Sequence, residues 1–345
     1  MITMPTGFKS DHLLRLPASR RSGPEGDTVI TTFNTENLLY LPDNNPARPG
    51  DNRNFFTPER IETKLTKLAL AIRLELRRPE IMILQEVGGI SILQELGRRV
   101  NAVSGTNYVA TSFKTSDRRG LEVGFLWDSS RVELLEAAQL SGPEVEAAFG
   151  PSSPSPGREP IVGVFKIRGQ RITIIGNHFK SMLGNEAFAG LLDDELSARI
   201  TEAQRKDQAR VVRRFVNSLL DHDPEALVMV AGDFNDTQFG QRNENEEADY
   251  PLAILEGRAG EVPLTDLITL KTDAESDFTF IHNETAAQML DHILVSPALL
   301  KLFVAVDILH FNAGFPPELS DDPHTTRRSS DHDPVEGRFN FQSRR

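Results

Sequence analysis

The stretch Ser330-Asp331-His332-Asp333-Pro334, directly before an apolar strand predicted at 335–341, is the most informative part of this sequence. An aspartate beside a histidine, between a loop and a strand, can supply a metal ligand and a proton-handling imidazole one residue apart. Five upstream motifs carry polar residues of matching chemistry: TFNTEN (32–37), ILQEV (83–87), GNHFKS (176–181), GDFND (232–236) and LDHILVS (290–296). Together, in this order, they predict one phosphoester-cleaving site.

Composition excludes several classes of protein. The 345 residues are 39% hydrophobic and 26% charged, as in soluble globular proteins, and contain no cysteine, which excludes disulfides, thiolate nucleophiles and zinc–thiolate sites. No apolar run approaches the ~18 residues that span a bilayer, so integral membrane association is not expected. The net charge of −12 argues against a protein that coats nucleic acid with its whole surface, but it permits an enzyme with a local basic patch.

The N-terminal segment 1–27 is rich in proline, glycine, serine and charge, which predicts a flexible arm. It has no apolar core of signal-peptide length, so the chain as given is expected to be cytoplasmic, or a mature form whose leader has been removed. No linker is evident between 28 and 341, which predicts a single domain of mixed α/β layers, followed by a short tail at 342–345. No obligate protein partner is evident.

The local patterns predict alternating strands and helices. Thr57 caps a helix that Pro58 opens, and apolar residues at spacings of three and four continue it. Arg168-Gly169-Gln170 predicts a hairpin, and the segment 141–160, rich in proline and serine, is expected to be a surface loop. Strands are predicted at 28–35, 80–87, 107–113, 121–127, 131–137, 161–167, 171–179, 226–233, 278–281, 291–295, 303–309 and 335–341, and further helices at 90–100 and 194–220.

Four polar residues lie at the ends of predicted apolar strands. They are Asn34, Glu86, His178 and Asp233, whereas Asp331 lies before a strand, as expected if that strand is antiparallel to its neighbour. Strand ends of layered α/β proteins are where site residues project from a rigid scaffold. Any one of them could be an ordinary turn residue, but the set predicts an active site.

Phosphodiester hydrolysis requires a divalent cation that neutralises the phosphate oxygens and the developing charge. Mg²⁺ takes oxygen ligands and uses one or two carboxylates, which Glu86 and Asp331 can supply, with the amide oxygen of Asn34 beside them. The histidines are too scattered for a zinc site. The expected cofactor is therefore Mg²⁺ or Mn²⁺.

The same reaction needs an oriented water and hydrogen-bond donors. Asp233 can accept the proton of the water, and Asn235, two residues on, points to the same side if the backbone stays extended. His332 can act as a base or as a donor to phosphate, with Asp291 fixing its tautomer. His178 and Asn235 can stabilise five-coordinate phosphorus by hydrogen bonding. Since strand neighbours face opposite sides, His292 is interpreted as a structural histidine.

These motifs resemble those of the endonuclease/exonuclease/phosphatase superfamily, which includes deoxyribonuclease I, abasic-site endonucleases, sphingomyelinases and inositol-polyphosphate 5-phosphatases. The resemblance runs from about residue 28 to 341, and the bacterial nuclease-like branch is the most similar. It implies an α/β (α+β) fold, a four-layered α/β sandwich of two packed, mostly antiparallel sheets flanked by helices.

The resemblance also implies residue roles. It assigns metal binding to Asn34, Glu36, Glu86 and Asp331, and catalysis to His178, Asp233, Asn235, Asp291 and His332. His178 matches a second histidine that abasic-site enzymes replace, which argues against a dedicated abasic-site enzyme. In deoxyribonuclease I-like members a glutamate partners that histidine. Glu122 is nearby here, but a one-residue change of register would turn it to the other face.

The substrate is expected to be a phosphoester, and nucleic acid is the leading choice. Arg118, Arg119 and Lys180, and also Arg327 and Arg328, could supply local positive charge to phosphates, although each could be an exposed solubilising residue. The leading function is a metal-dependent phosphodiesterase that cleaves DNA. The alternatives are a phosphatase or phosphodiesterase for a phospholipid, inositol phosphate or small phosphoester, and, remotely, a non-catalytic binding module.

Overall fold

The structure is a computed structural model that describes residues 27–39, 57–182, 194–237, 250–271, 277–282 and 286–342. For residues 194–200 it describes the backbone alone. The predicted N-terminal arm, apart from Asp27, lies outside these residues, as do the last three residues of the tail. None of the described helices is long and apolar enough to cross a membrane.

Within the described residues the strands form two six-stranded sheets and one small hairpin. The first sheet contains β1 (Asp27–Leu38), β2 (Ile81–Val87), β3 (Tyr108–Ser112), β4 (Glu122–Asp128), β13 (Phe303–Ile308) and β14 (Val335–Asn340). The second contains β5 (Glu133–Gln139), β6 (Ile161–Ile167), β7 (Gln170–His178), β8 (Leu227–Asp233), β9 (Thr265–Asp266) and β12 (Asp291–Val295). The hairpin pairs β10 (Phe280–His282) with β11 (Ala286–Gln288). The α-helices are α1 (Pro58–Leu74), α2 (Ile90–Ser104), α3 (Pro143–Ala148), α4 (Asp194–His222), α5 (Pro251–Glu256) and α6 (Pro297–Leu300).

The two sheets share one topological feature. The strand order is β13-β14-β1-β2-β4-β3 in the first sheet and β5-β6-β7-β8-β12-β9 in the second. In each sheet one neighbouring pair is parallel, β1 with β2 and β7 with β8, and the other pairs are antiparallel. Parallel neighbours need a crossover connection, which α1 and α4 supply. Each parallel pair therefore brings two strand ends to the same rim of its sheet.

The apolar residues form three layers of packing. One core lies between the sheets, where the ring of Phe165 meets Phe125 and Trp127 edge to face at centroid distances of 5.2 and 5.8 Å. A second core packs α1 and α2 on the first sheet, and a third packs α4 on the second sheet. The molecule is thus a sandwich of helix, sheet, sheet and helix, which confirms the predicted fold class.

Local signals explain several elements. The side chain of Thr57 accepts a hydrogen bond from the amide of Arg60, and Pro58 opens α1, as predicted. Arg168 and Gly169 have φ of 48° and 88°, which is the left-handed geometry of a tight hairpin between β6 and β7. The turn chemistry of these segments was therefore readable from the sequence.

The prediction of a surface loop at 141–160 was wrong in part. The segment contains α3, and its apolar residues Val145, Ala148 and Phe149 pack into the core beneath α4. Arg158 is also buried, at 5% exposure. Proline and serine indicate where the backbone turns, but they do not tell whether the turns fold back against the protein.

Candidate active site

The predicted site residues meet at one rim of the sandwich. Asn34 lies within β1, and Glu86, His178 and Asp233 lie at the ends of β2, β7 and β8. Asp291 opens β12 and pairs with Asp233 across the antiparallel ladder. The strands of each parallel pair end at this rim, and their antiparallel neighbours begin there. The topology therefore brings together side chains that are up to 257 positions apart in the sequence (34 to 291).

The backbone at this rim is locally strained. Glu36, Asn37, Glu86 and Asn235 all have φ between 48° and 61°, a left-handed conformation that non-glycine residues adopt at a cost of about 1 kcal/mol or more. The register of β2 with β4 also shifts between Gln85 and Val87, which is a bulge at Glu86. Bulges beside active sites redirect a side chain, and here the redirected side chain is a carboxylate.

Asp233 lies at the centre of the hydrogen-bond network. Its Oδ2 atom accepts a hydrogen bond of 3.0 Å from Nδ2 of Asn34 and lies 3.4 Å from Nε2 of His178. Its Oδ1 atom accepts from the backbone amide of Asn235 at 2.9 Å. Burial first, and then the neighbouring charge of Asp291, raise the pKa of Asp233 to about 6. A carboxylate with this pKa can take up a proton near neutral pH.

His332 and Asp291 form a buried pair. Nδ1 of His332 lies 2.7 Å from Oδ2 of Asp291, and the imidazole packs against the ring of Phe280 at a centroid distance of 4.9 Å. Burial acts to lower the pKa of His332, but Asp291, then Asp331 and Asp233, outweigh it and hold the pKa well above its usual range. The imidazole is therefore protonated and oriented by Asp291, and it retains Nε2 as a donor.

A second cluster contains the carboxylates of Glu36, Glu86 and Asp331. Oε2 of Glu86 accepts a hydrogen bond of 2.8 Å from the amide of Asn37, and Oε2 of Glu36 lies 3.0 Å from Nζ of Lys64. Burial first, and then the charges of Glu36 and Glu86, raise the pKa of Asp331 to about 7. Three acids that repel one another in this way are chemically suited to a hard divalent cation.

Asn34 connects the two clusters. Its Nδ2 atom donates to Asp233, and its Oδ1 atom accepts a hydrogen bond of 2.9 Å from the amide of Glu36. Its backbone carbonyl accepts a hydrogen bond of 2.7 Å from Oγ of Ser330, which fixes the loop that carries Asp331. The structure therefore brings together all four residues of the predicted metal set.

Another possible cation site lies among Asp233, Asp291 and His332, whose ligand atoms all lie within 4.8 Å of one another. In this group Nδ1 of His332 is hydrogen bonded to Asp291, and the raised pKa of His332 means that Nε2 carries a proton as well. A protonated imidazole nitrogen cannot coordinate a metal ion. We therefore interpret these three residues as a proton-handling network, and the carboxylate cluster as the candidate cation site.

His178 is buried in a positively charged surrounding. Its Nε2 atom lies 3.8 Å from Oε1 of Glu86, and burial, followed by the charges of Arg158 and Arg119, holds its pKa well below the usual range. Its Nδ1 atom has no hydrogen-bond partner in the part of the chain that the structure describes. Glu122 is therefore not its partner, since that carboxylate lies beside Gly89.

The candidate phosphate-binding residues differ in position. Arg118 and Arg119 are both exposed in the turn before β4, and of the three candidates Arg119 and Lys180 are close enough to His178 to lower its pKa. Arg158 was missed from the sequence. It donates to Oδ2 of Asp117 at 3.1 Å and to the carbonyl of Phe179, next to His178, at 2.5 Å. An arginine in a proline-rich segment carries no periodic signal that could have identified it.

Two other residues near the site were also missed. They are Phe280, whose ring covers His332, and Lys64, which pairs with Glu36. Both lie in ordinary helix or strand patterns, so their contacts depend on tertiary packing. His292 faces away, as interpreted from the sequence, and its Nδ1 atom lies 2.7 Å from Oδ2 of the buried Asp266.

The fold and part of the sequence are similar to known proteins. The chain is 18% identical to an endonuclease/exonuclease/phosphatase from Bacteroides vulgatus, with a TM-score of 0.57 and coverage of 92% of this chain and 99% of that one. It is 19% identical to D. rerio TDP2 complexed with single strand DNA product, with a TM-score of 0.56 and coverage of 91% and 99%. It is 16% identical to the Bacteroides thetaiotaomicron mannosyl-6-phosphatase Bt3783, with a TM-score of 0.54 and coverage of 90% and 98%.

No curated protein sequence matches this chain. A family model does match, and it covers residues 29–305, which is most of the chain and includes every predicted catalytic and metal-binding residue except Asp331 and His332. Those two residues lie on the loop before β14. Because β14 is the antiparallel neighbour of β1, this loop lies at the same rim as the end of β1. With the fold and the sequence in agreement, the chain belongs to the endonuclease/exonuclease/phosphatase family.

Proposed function

We propose that this protein is a divalent-metal-dependent phosphodiester hydrolase that cleaves DNA. The observation that supports this most is the arrangement around Asp233. Asn34 joins Asp233 to the carboxylate cluster, and the hydrogen-bonded pair of Asp291 and His332 lies close enough to shift the pKa of Asp233. A phosphate between the two would meet a cation-binding face and a face of protonated donors, which together suit hydrolysis of a phosphoester.

The cation would be held by Glu86, Asp331 and Glu36, with Asn34 beside them. The mutual repulsion that raises the pKa of Asp331 is what a bound cation would relieve. All of these ligand atoms are oxygens, which favours Mg²⁺ or Mn²⁺ over softer metals. When bound, the cation would neutralise the phosphate oxygens and the developing charge.

Asp233 would accept the proton of the attacking water. Asn34 and the amide of Asn235 hold its two oxygens in place, so the carboxylate is oriented before substrate binds. Its pKa of about 6 leaves it largely ionised at neutral pH, yet basic enough to take the proton.

Hydrogen-bond donors around Asp233 would contact the phosphate oxygens. His332 is kept protonated by Asp291 and can donate through Nε2 to a phosphate oxygen. Asn235 and the neutral His178 offer further donors, and Nδ2 of Asn235 is held by the carbonyl of Phe179 at 3.3 Å. Donors fixed in this way stabilise the transition state without reorganising.

DNA is the substrate that we favour. Arg119, Arg158 and Lys180 concentrate positive charge near His178, although the protein as a whole carries −12. D. rerio TDP2, which has a similar fold, was solved with a single strand DNA product. The similar fold of a mannosyl-6-phosphatase is the reason to keep a small phosphoester as the second candidate. Within this proposal residues 28–341 act as one domain, without a protein partner.

A panel of substrates tests the function. Purified protein is incubated with plasmid DNA, RNA, bis-p-nitrophenyl phosphate and p-nitrophenyl phosphate, each with Mg²⁺, with Mn²⁺ and with EDTA. We expect metal-dependent cleavage of DNA and of the diester. Cleavage of the monoester alone would contradict the nuclease assignment and favour the phosphatase.

Two variants exclude a contaminating nuclease. Asp233→Asn and His332→Ala should each lower kcat by about 10²- to 10⁴-fold, because each removes a proton-transferring or donating group. Lys301→Met, at an exposed ion pair with Glu225 far along the chain, serves as the matched control. Activity that is equal in all four proteins would contradict the assignment of the site and indicate a contaminant.

A further inference from the structure

A cavity adjoins the carboxylate cluster on the side of α1. It has a volume of about 280 Å³, and Glu36 and Asp331 form one of its walls. Lys64 and Arg60, from successive turns of α1, and Arg328, from the loop before β14, contribute cationic side chains. The cavity is several times larger than the ~30 Å³ share of one water molecule, so a phosphate group fits.

The cationic side chains that line this cavity differ in their existing hydrogen bonds and ion pairs. Nη2 of Arg60 lies 3.0 Å from Asp321, and the three N–H donors of the buried Lys67 are all used by four surrounding backbone carbonyls. Nζ of Lys64 lies 3.0 Å from Glu36, which is one of the proposed cation ligands. Lys64 also lines the cavity, and a cation bound by Glu36 would compete with its ammonium for this carboxylate.

Arg328 has unusual local geometry. Its φ is 57°, a left-handed conformation that a residue with a long side chain adopts only when its surroundings hold it there. Its amide donates to the carbonyl of Phe311 at 3.0 Å, which anchors that backbone. Among the described residues, none forms a hydrogen bond or an ion pair with its guanidinium. A half-buried arginine at a cavity wall without a carboxylate partner is suited to an anionic ligand.

The neighbouring Arg327 differs from Arg328 in its exposure and in its contacts. It is exposed, and its guanidinium lies 4.4 Å from the centroid of the Phe315 ring. It does not line the cavity. Two adjacent arginines, both candidate phosphate binders by sequence, thus have different surroundings, and this gives a matched pair for experiment.

We propose that this cavity is a second phosphate subsite, in which Arg328 and Lys64 bind a phosphate group of the substrate next to the one that is cleaved. The inference rests on the proposed function and narrows its substrate class to phosphodiesters that carry a further phosphate nearby. Such a group occurs both in a polynucleotide strand and in a small phosphorylated diester. The chemistry that the cavity recognises is the same in both cases.

Matched substrate pairs test the subsite. In one pair the dinucleotide TpT is compared with its terminally phosphorylated forms, pTpT and TpTp. In the other, glycerophosphoinositol is compared with glycerophosphoinositol 4-phosphate. The measured quantity is the ratio of kcat/KM with and without the extra phosphate, at fixed ionic strength, for the wild type, Arg328→Gln, Arg328→Lys and Arg327→Gln.

We expect the wild type to prefer an extra phosphate by about 10- to 100-fold, which is the range for a hydrogen bond to a charged group. Arg328→Gln should bring the ratio close to one, Arg328→Lys should keep much of it, and Arg327→Gln should leave it unchanged. Preference in the dinucleotide pair identifies a polynucleotide as the source of the phosphate, and preference in the inositol pair alone identifies a small phosphoester.

Two negative results can be told apart. If the wild type cleaves the unphosphorylated diesters but gains nothing from the extra phosphate, or if Arg328→Gln keeps the preference, the subsite is wrong and the proposed function stands. If the wild type cleaves no diester in the presence of metal, the proposed function fails and the subsite fails with it. Circular dichroism and the melting temperature of Arg328→Gln exclude loss of fold as the cause.

Discussion

At the scale of single residues, the hydrogen-bond partners determine what each site residue can do. Asp233, His178 and His332 are all buried, yet their pKa values shift in different directions. Burial and Asp291 raise the pKa of Asp233, burial and Arg158 lower that of His178, and Asp291 raises that of His332 against the effect of burial. Pairs of groups whose pKa values are pushed apart are typical of acid and base partners in catalysis.

The pairing of His332 with Asp291 predicts a change in the pH dependence of activity. In Asp291→Asn the negative charge that raises the pKa of His332 is lost, so His332 should lose its proton at a lower pH. We expect the alkaline limb of the kcat/KM profile to move to lower pH, and kcat to fall by about 10²-fold or more. An unchanged alkaline limb would exclude His332 as the protonated donor. Asp307→Asn, half-exposed on β13, is the control.

The carboxylate cluster predicts a change in metal dependence. Glu86→Gln keeps the shape of the side chain and can still accept from the amide of Asn37, but it removes one negative charge. We expect the Mg²⁺ concentration for half-maximal activity to rise by about tenfold or more. Adding EDTA should abolish the activity. The far-ultraviolet circular dichroism should not change. Unfolding of this variant would mean that Glu86 is structural.

At the scale of elements, one lysine fixes the loop that carries Asp331 and His332. Lys67 is 1% exposed within α1, and its Nζ lies 2.8–2.9 Å from the carbonyls of Leu319, Asp322, Thr325 and Arg327, which share its three N–H donors. This segment leads directly into Ser330, Asp331 and His332. The buried ammonium of Lys67 therefore holds the backbone of the segment that positions Asp331 and His332 in the candidate site.

Removing this ammonium should loosen the loop. Lys67→Met leaves four carbonyls without their donor, and we expect the free energy of unfolding to fall by about 2–5 kcal/mol. Hydrogen exchange should rise in segment 317–330, and activity should fall with it. Lys301→Met, at an exposed pair, should change stability by less than about 1 kcal/mol. Unchanged exchange in 317–330 would show that the loop is held by other contacts.

At the scale of the whole molecule, close packing holds the two sheets face to face, and a buried charged pair joins two neighbouring strands, β12 and β9, of the second sheet. A Cβ added to Gly176 would lie 2.8 Å from Cγ2 of Ile83 and 2.9 Å from Cγ2 of Ile161, so the sheets leave no room there for a side chain. Within the second sheet, Nδ1 of His292 on β12 lies 2.7 Å from Oδ2 of Asp266 on β9, and its Nε2 atom lies 3.1 Å from the carbonyl of Met289.

This buried pair predicts how stability depends on pH. Burial opposes the charge on His292, but Asp266 outweighs it and raises the pKa to about 9, above the ordinary value of 6.5. The folded state therefore holds its proton more tightly than the unfolded state. The resulting stabilisation is complete below pH 6.5 and is lost as the pH rises through about 9.

We expect the melting temperature to fall across this window, as measured by calorimetry at constant ionic strength. In Asp266→Asn the pKa of His292 should drop, so most of this dependence should disappear while the protein becomes less stable at all values of pH. A melting temperature that falls equally in both proteins between pH 6.5 and 9 would exclude the pair as its origin.

Much of the architecture was predictable because it follows from local patterns. Thr57 and Pro58 mark a helix start, apolar runs mark buried strands, and Arg168-Gly169 marks a hairpin, each from neighbouring residues alone. The short elements α3, α5, α6, β9 and β11 were missed, because they are too brief to establish a period. The burial of segment 141–160 was missed because it depends on α4.

The candidate site shows more clearly what the sequence determines and what depends on the tertiary structure. The sequence by itself determined the residue types and the order of the motifs, from Asn34 to His332, and with them the family. Only the tertiary structure decided which nitrogen of His332 meets Asp291, that Glu122 does not pair with His178, and that Arg328 rather than Arg327 lines the cavity. The physical reason is the distance along the chain over which each effect acts. Propensity and periodicity act over a few residues, whereas these contacts join side chains from separate strands and loops, and their geometry is set only when the two sheets pack.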